Sequence, residues 1–324
     1  MKRVNTLLAA ACLVMATFTP TLAQDVYPSK SIRLLVGVGP GSTVDGSARV
    51  IAERMSRLLG QSIVVENQPG AGGMLAAKNA ISAKPDGYTL LYYYTDSIAI
   101  APLLSKDPPF DATKDLAYVG DVVRIYGVLL AVPSTSAINT FDDFAKAAKS
   151  SATKLNYGTW GIGSSAHLGF EMIGEKLGFQ LVHVPYKSGA ASYVAALSGE
   201  VDIVMSVAST APVRSGRLRP IAVAGSRRLS EFPAVPTLVE LGIGEQAFAP
   251  VTYGIAAPTG TPAAILEKLR DAAEKVVRSP ESVERLVGMG VEPALAAPTE
   301  AASNIRRATA AYSPVIKRLG ISNQ

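Results

Sequence analysis

Two glycine loops, each set between a short apolar run and a helical pattern, restrict this chain more than any other feature. The first is Val36-Gly37-Val38-Gly39-Pro40-Gly41-Ser42-Thr43. Residues 32–37 read as a strand. Residues 43–59 read as a helix with Ala48, Ile51, Met55 and Leu58 on one face and Arg49, Glu53, Arg54 and Arg57 off it. Gly60 stops that helix. The alternation continues through a strand at 62–66, a small-residue helix at 74–83, a turn at 84–87 and a strand at 88–94. It resumes with strands at 155–158, 181–184 and 201–205 and helices at 165–177 and 190–197. Strands and helices alternating at this spacing specify parallel sheets covered by helices, an α/β architecture.

Two runs break the rhythm. Residues 128–133 and 249–258 are extended, apolar and end in proline, with no helix before them. Read as crossover strands, they make 127–246 one α/β domain inserted into another built from 24–126 plus 247–324. Beyond Thr261 the pattern is mostly helical. Leu266, Leu269, Ala273 and Val276 form one stripe, and another helix begins near Thr299.

The first 23 residues belong to neither domain. Lys2 and Arg3 precede an apolar stretch at 7–17, and Thr21-Leu22-Ala23 forms a small-x-small cleavage site, the pattern of a secretory signal peptide. Cys12, the single cysteine, lies inside it. Ala9-Ala10-Ala11-Cys12 lacks the branched apolar residue of a lipidation site, so we expect an exported, cleaved and thiol-free protein. No later segment approaches the roughly 20 apolar residues of a membrane helix. With 48% hydrophobic and 18% charged residues the chain can bury a core. Its net charge of +5 is scattered, with no basic tract of the kind that tracks nucleic acid.

Could the first loop hold a nucleotide? Gly37, Gly39 and Gly41 are spaced G-x-G-x-G with Pro40 inside, not G-x-G-x-x-G, and no Gly-Lys-Ser/Thr follows. Two readings stay open: a tight strand-to-helix turn with an N-cap, or an anion site made of helix N–H groups and the Ser42 and Thr43 hydroxyls. A second loop has the same form. Trp160-Gly161-Ile162-Gly163-Ser164-Ser165 runs from a strand into a helix in the other domain. Two helix N-termini facing across a cleft could grip one carboxylate from both sides, without a lysine.

Catalytic readings are thin. The two histidines, His167 and His183, are expected to make structural hydrogen bonds, and they do not form a metal cluster. Ser164, Ser165 and His167 are too close along a starting helix to act as a nucleophile and base, and G-x-S-x-G is absent. Lys187 reads as a solvated lysine rather than a Schiff-base former. We expect no catalysis, cofactor or metal, no nucleic-acid partner, and a monomer.

Several motifs resemble one family along nearly the whole chain after residue 23: the extracytoplasmic solute receptors of tripartite tricarboxylate transporters, also called Bug receptors. They are Tyr27-Pro28-Ser29-Lys30-Ser31-Ile32-Arg33, the first glycine loop through Asp45, Val65-Glu66-Asn67-Gln68-Pro69-Gly70-Ala71-Gly72-Gly73, Pro85-Asp86-Gly87-Tyr88, Lys154-Leu155-Asn156-Tyr157-Gly158 and His183-Val184-Pro185-Tyr186-Lys187. The resemblance implies a type II periplasmic-binding fold, two α/β domains joined by two crossover strands and closing on a ligand. It implies a periplasmic receptor that passes a small carboxylate to membrane transporter subunits. Sensing for a membrane signalling partner, or an exported hydrolase, is the alternative. Carried over by position, the carboxylate contacts fall on Gly41, Ser42 and Thr43 and on Gly161, Gly163, Ser164 and Ser165. Asp45 would hold the first loop in shape.

Departures from the family pattern concern specificity. Ser42 replaces a usual glycine, and Val38 stands where an aromatic residue is common, which would widen the pocket. Ser206 replaces an acid associated with amine-bearing ligands, which argues against amino acids. Tyr93 and Tyr94 take places that are usually small, Asp96 follows them, and Trp160 sits at a variable loop position. We therefore expect the three aromatic rings to line the cleft and to stack on a carboxylate with an aromatic or otherwise flat body.

Overall fold

The computed structural model describes residues 27–125, 127–150, 154–244 and 251–322. The signal peptide expected at 1–23, Cys12 and the domain boundary expected near 246 lie outside the described residues. In chain order the strands are β1 (Ile32–Val36), β2 (Ile63–Asn67), β3 (Thr89–Tyr94), β4 (Leu116–Ile125), β5 (Val128–Pro133), β6 (Asn156–Thr159), β7 (Val182–Pro185), β8 (Ile203–Val207), β9 (Leu218–Val223), β10 (Thr252–Pro258) and β11 (Val291–Pro293). They form a six-stranded sheet in the order β11-β4-β10-β3-β1-β2 and a five-stranded sheet in the order β7-β6-β8-β5-β9.

Each sheet has a parallel core, β2-β1-β3 in one and β7-β6-β8 in the other. The sheets are not parallel throughout. β10 lies antiparallel between β3 and β4, and β5 lies antiparallel between β8 and β9. β5 follows β4 with no helix between them, and the two strands lie in different sheets. The chain therefore leaves the first sheet between β4 and β5 and returns between β9 and β10.

Strand alternation divides the core of the first body. Ile32, Leu34, Val36, Leu90 and Tyr92 point to one face, where the helices Thr43–Leu59 and Ala263–Arg278 pack. Leu35, Leu91 and Tyr93 point to the other, covered by the helices Met74–Ile81 and Pro298–Leu319. On the first helix Val44, Ala48, Ile51, Ala52 and Met55 are buried, but Leu58 is 52% exposed. At 3.6 residues per turn Leu58 stands about 80° from Ala48 around the axis, at the edge of the expected stripe. In the second body, the helices Phe141–Lys149 and Ser165–Leu177 share one core with β5, β6 and β8. The Ser165 helix also reaches the first body: Leu168 is buried in the cluster that contains Ile100, Leu104 and Tyr312, and Arg318 pairs with Glu175.

Candidate ligand-binding cleft

The two glycine loops are built on one plan. In Gly41-Ser42-Thr43-Val44-Asp45 and Gly163-Ser164-Ser165-Ala166-His167, the glycine takes a left-handed backbone, with φ of 85° and 73° respectively. The serine is the helix N-cap. Ser42 Oγ accepts the Asp45 N–H at 3.2 Å, and Ser164 Oγ accepts the His167 N–H at 3.3 Å. The fifth side chain then reaches back: Gly41 N–H donates to Asp45 Oδ2 at 2.9 Å, and Gly163 N–H donates to His167 Nδ1 at 3.0 Å. The pairing is reciprocal in the manner of a capping box, closed by an aspartate in one loop and an imidazole in the other. It leaves the next residue of each loop, Thr43 and Ser165, with a backbone N–H and a hydroxyl side by side.

Both acceptors are held from behind. Asp45 is 3% exposed and takes Asn67 Nδ2 on Oδ1 at 2.8 Å and Arg49 Nε on Oδ2 at 3.1 Å. Burial alone would push its carboxyl up, but the hydrogen bonds from Arg49, Asn67 and Gly41 hold it below the usual range. His167 stacks on His183 with centroids 3.9 Å apart, and His183 Nε2 lies 2.7 Å from Thr159 Oγ1. Burial lowers both imidazoles, His183 to about 4 with the neighbouring His167 adding to the effect. His167 is therefore neutral, and accepting at Nδ1 places its proton on Nε2. The expected structural role of both histidines corresponds to what these bonds do.

The second loop holds a carboxylate from its own chain. Asp96 begins the helical turn Asp96–Ile100 directly after β3, in the first body. Its Oδ2 accepts from Ser165 N–H at 3.2 Å, Ser165 Oγ at 3.1 Å and Trp160 Nε1 at 3.3 Å, all in the second body. Part of the residue is open to solvent, yet Oδ1 is sealed from it and has no hydrogen-bond partner. Burial pushes this carboxyl above its ordinary value, against the Ser165 and Trp160 bonds. Tyr94 and Tyr253 are cross-strand partners. Burial raises both hydroxyls and the Asp96 charge raises them further, with Tyr193 of the second body also acting on Tyr253.

The expected site residues separate into groups. Thr43 and Ser165 present donors. Gly41, Gly163 and Ser164 spend theirs inside the loops, Ser42 accepts the Asp45 N–H on its hydroxyl oxygen, and Gly161 N–H donates to Thr159 Oγ1 at 3.2 Å. Val38 packs half-buried against the first core, and its carbonyl accepts from Asn67. Tyr94 is half-buried with its hydroxyl on the Gly72 carbonyl at 2.8 Å, and Trp160 is tied to Asp96. Tyr93 does not line the cleft. It is fully buried, donates to Asp121 Oδ1 at 2.6 Å and meets Tyr118 edge-on, because its side of β3 lies under the helices Met74–Ile81 and Pro298–Leu319. Ser206 is also fully buried, 3.1 Å from Thr210 Oγ1. Lys187 is exposed. Sequence reasoning passed over Tyr193 and Tyr253, which carry no local motif. The G-S-x-x-acceptor spacing shared by the two loops was there to be read.

The profile of the tripartite tricarboxylate transporter family receptors matches residues 47–321. A UPF0065 protein of Bordetella bronchiseptica is 35% identical over 98% of this chain and 93% of its own length. Among solved structures, the periplasmic binding protein BugD aligns with a TM-score of 0.78 at 28% identity, covering 92% of this chain and 100% of BugD. An R. palustris protein solved with adipate gives 0.79 at 28%, covering 91% and 99%. MatC from Rhodopseudomonas palustris, solved with malate, gives 0.76 at 27%, covering 90% and 100%.

Proposed function

This chain belongs to the tripartite tricarboxylate transporter receptor family, and from that premise we propose that it captures a small carboxylate between its two loops as a periplasmic receptor. The observation that carries the reading is the Ser165 pair. Its N–H and hydroxyl already hold a carboxylate oxygen at 3.2 and 3.1 Å. Thr43 occupies the same place in a loop of the same build, so its N–H and hydroxyl form a matching seat for a ligand carboxylate on the first body. Adipate and malate in the related structures belong to the same chemical class.

Closure about the β4–β5 and β9–β10 links would bring the seats together, and a ligand that satisfies both favours the closed form. Trp160 and Tyr94, both fixed by hydrogen bonds, offer ring faces to a flat ligand body. Binding proceeds without chemical conversion, and the ligand passes to membrane subunits of the transporter. Residues 1–23 serve as the export signal. A thermal-shift screen of aliphatic and aromatic mono-, di- and tricarboxylates tests the core of this, because ligand binding to the native state raises the unfolding temperature by mass action. Thr43→Val should abolish the shift while leaving the free protein's unfolding temperature nearly unchanged. A full shift in that variant would show that the first loop is only a turn.

A further inference from the structure

We propose that Asp96 makes this receptor select ligands that carry an ammonium group together with the carboxylate. The inference rests on the carboxylate reading above. Asp96 already occupies the second seat, with both Ser165 donors and the Trp160 indole committed to its Oδ2. A ligand carboxylate keeps the Ser42–Thr43 loop, and what its far side meets is an acid. Oδ1 of that acid is sealed from solvent and has no donor. A buried carboxylate oxygen left unpaired is unfavourable, most of all when the group is charged.

When the two bodies part, Oδ1 becomes reachable, and a ligand ammonium that enters then supplies the missing donor and the missing positive charge together. Among the described residues the groups that act on Asp96 are Ser165 and Trp160, with no Lys or Arg. Trp160 is hydrogen-bonded to Asp96, and Tyr94 and Tyr253 lie near enough for the Asp96 charge to raise their hydroxyls. Aromatic rings beside an acid add to its attraction for a cation. The resemblance ties amine-bearing ligands to an acid at the position of Ser206. Here the acid comes from the opposite body, after β3.

The test is calorimetry on the purified protein with pairs of probes that differ by one amino group: butyrate and 4-aminobutyrate, 3-phenylpropionate and phenylalanine, 4-methylbenzoate and 4-(aminomethyl)benzoate. In at least one pair the amino member should bind roughly 10- to 100-fold tighter, the scale of one charge-assisted hydrogen bond. Asp96→Asn keeps an oxygen for Ser165 and Trp160 and should erase that preference. Equal or tighter binding of the plain members by the wild type overturns the proposal, whether or not the variant folds. So does a variant that binds plain carboxylates tenfold tighter with the amino preference unchanged, since Asp96 would then be an internal stand-in that ligands displace. Binding of plain di- or tricarboxylates alone defeats this proposal and leaves the carboxylate reading standing. Silence of every carboxylate defeats both.

Discussion

Gly163 joins loop geometry to domain closure. It lies in the second body, has a φ of 73°, and a Cβ placed on it would come within 2.3 Å of Leu104 Cδ1 in the first body. Gly163→Ala therefore has two separable costs. The left-handed backbone costs about 1–2 kcal/mol whether the cleft is open or closed. The clash with Leu104 arises only where the bodies meet and, as overpacking, costs about 1–3 kcal/mol. The first should lower the unfolding temperature by a few degrees. The second opposes closure and should weaken binding by roughly 5- to 150-fold.

Gly161→Ala is the matched control. Its φ is 131°, but its nearest obstacle is the Tyr186 carbonyl at 4.0 Å, so it carries backbone strain without the clash. Calorimetry with the tightest carboxylate from the screen should show Gly163→Ala much weaker than Gly161→Ala. Adding Leu104→Ala to Gly163→Ala should recover most of the affinity. Equal losses in the two glycine variants, or no recovery in the double variant, would refute the link between this contact and binding.

Tyr93→Phe should lower stability by about 1–3 kcal/mol, read by denaturant unfolding, because it takes a donor from the buried Asp121, which also holds Thr252 and Asn304. Ligand affinity should not change, and a specific affinity loss would return Tyr93 to the cleft. Ser164→Ala should cost about 1 kcal/mol as a lost N-cap and also loosen the second seat, so stability and affinity fall together. A loss in affinity alone would contradict the capping role. Acidification tests the histidine pair. The folded state holds His183 near 4 while the unfolded chain takes up its proton near 6.5. The contribution is present above about 6.5, shrinks as pH falls, and is gone below about 4. Allowing for partial exposure, it is at most about 2 kcal/mol. His183→Gln should flatten the decline in unfolding temperature from pH 7 to 5, and an unchanged slope would place its origin elsewhere.

Much of this protein is local and was legible in residue order. The helix Thr43–Leu59, its Gly60 stop, the β5 and β10 runs and both glycine loops follow from periodicity, caps and punctuation within a few residues. β4 was missed because Gly120 and Asp121 interrupt its alternation, and its place is secured by β10 rather than by its own pattern. The same limit governed the site. The glycine-serine-x-x-acceptor spacing of both loops is legible in residue order, since each serine caps its helix and each acceptor reaches back to the glycine. Tyr93 is sealed under the helices Met74–Ile81 and Pro298–Leu319, while Tyr94 lies half-buried at the end of β3 on the opposite face, and a period of two cannot say which of the two is sealed. The meeting of Asp96 with Ser165, 69 residues away, is decided by two bodies docking. Residue order alone specifies two glycine loops of one design. That the chain sets its own acid against one of them follows from tertiary packing, because the contact joins elements that no local pattern links.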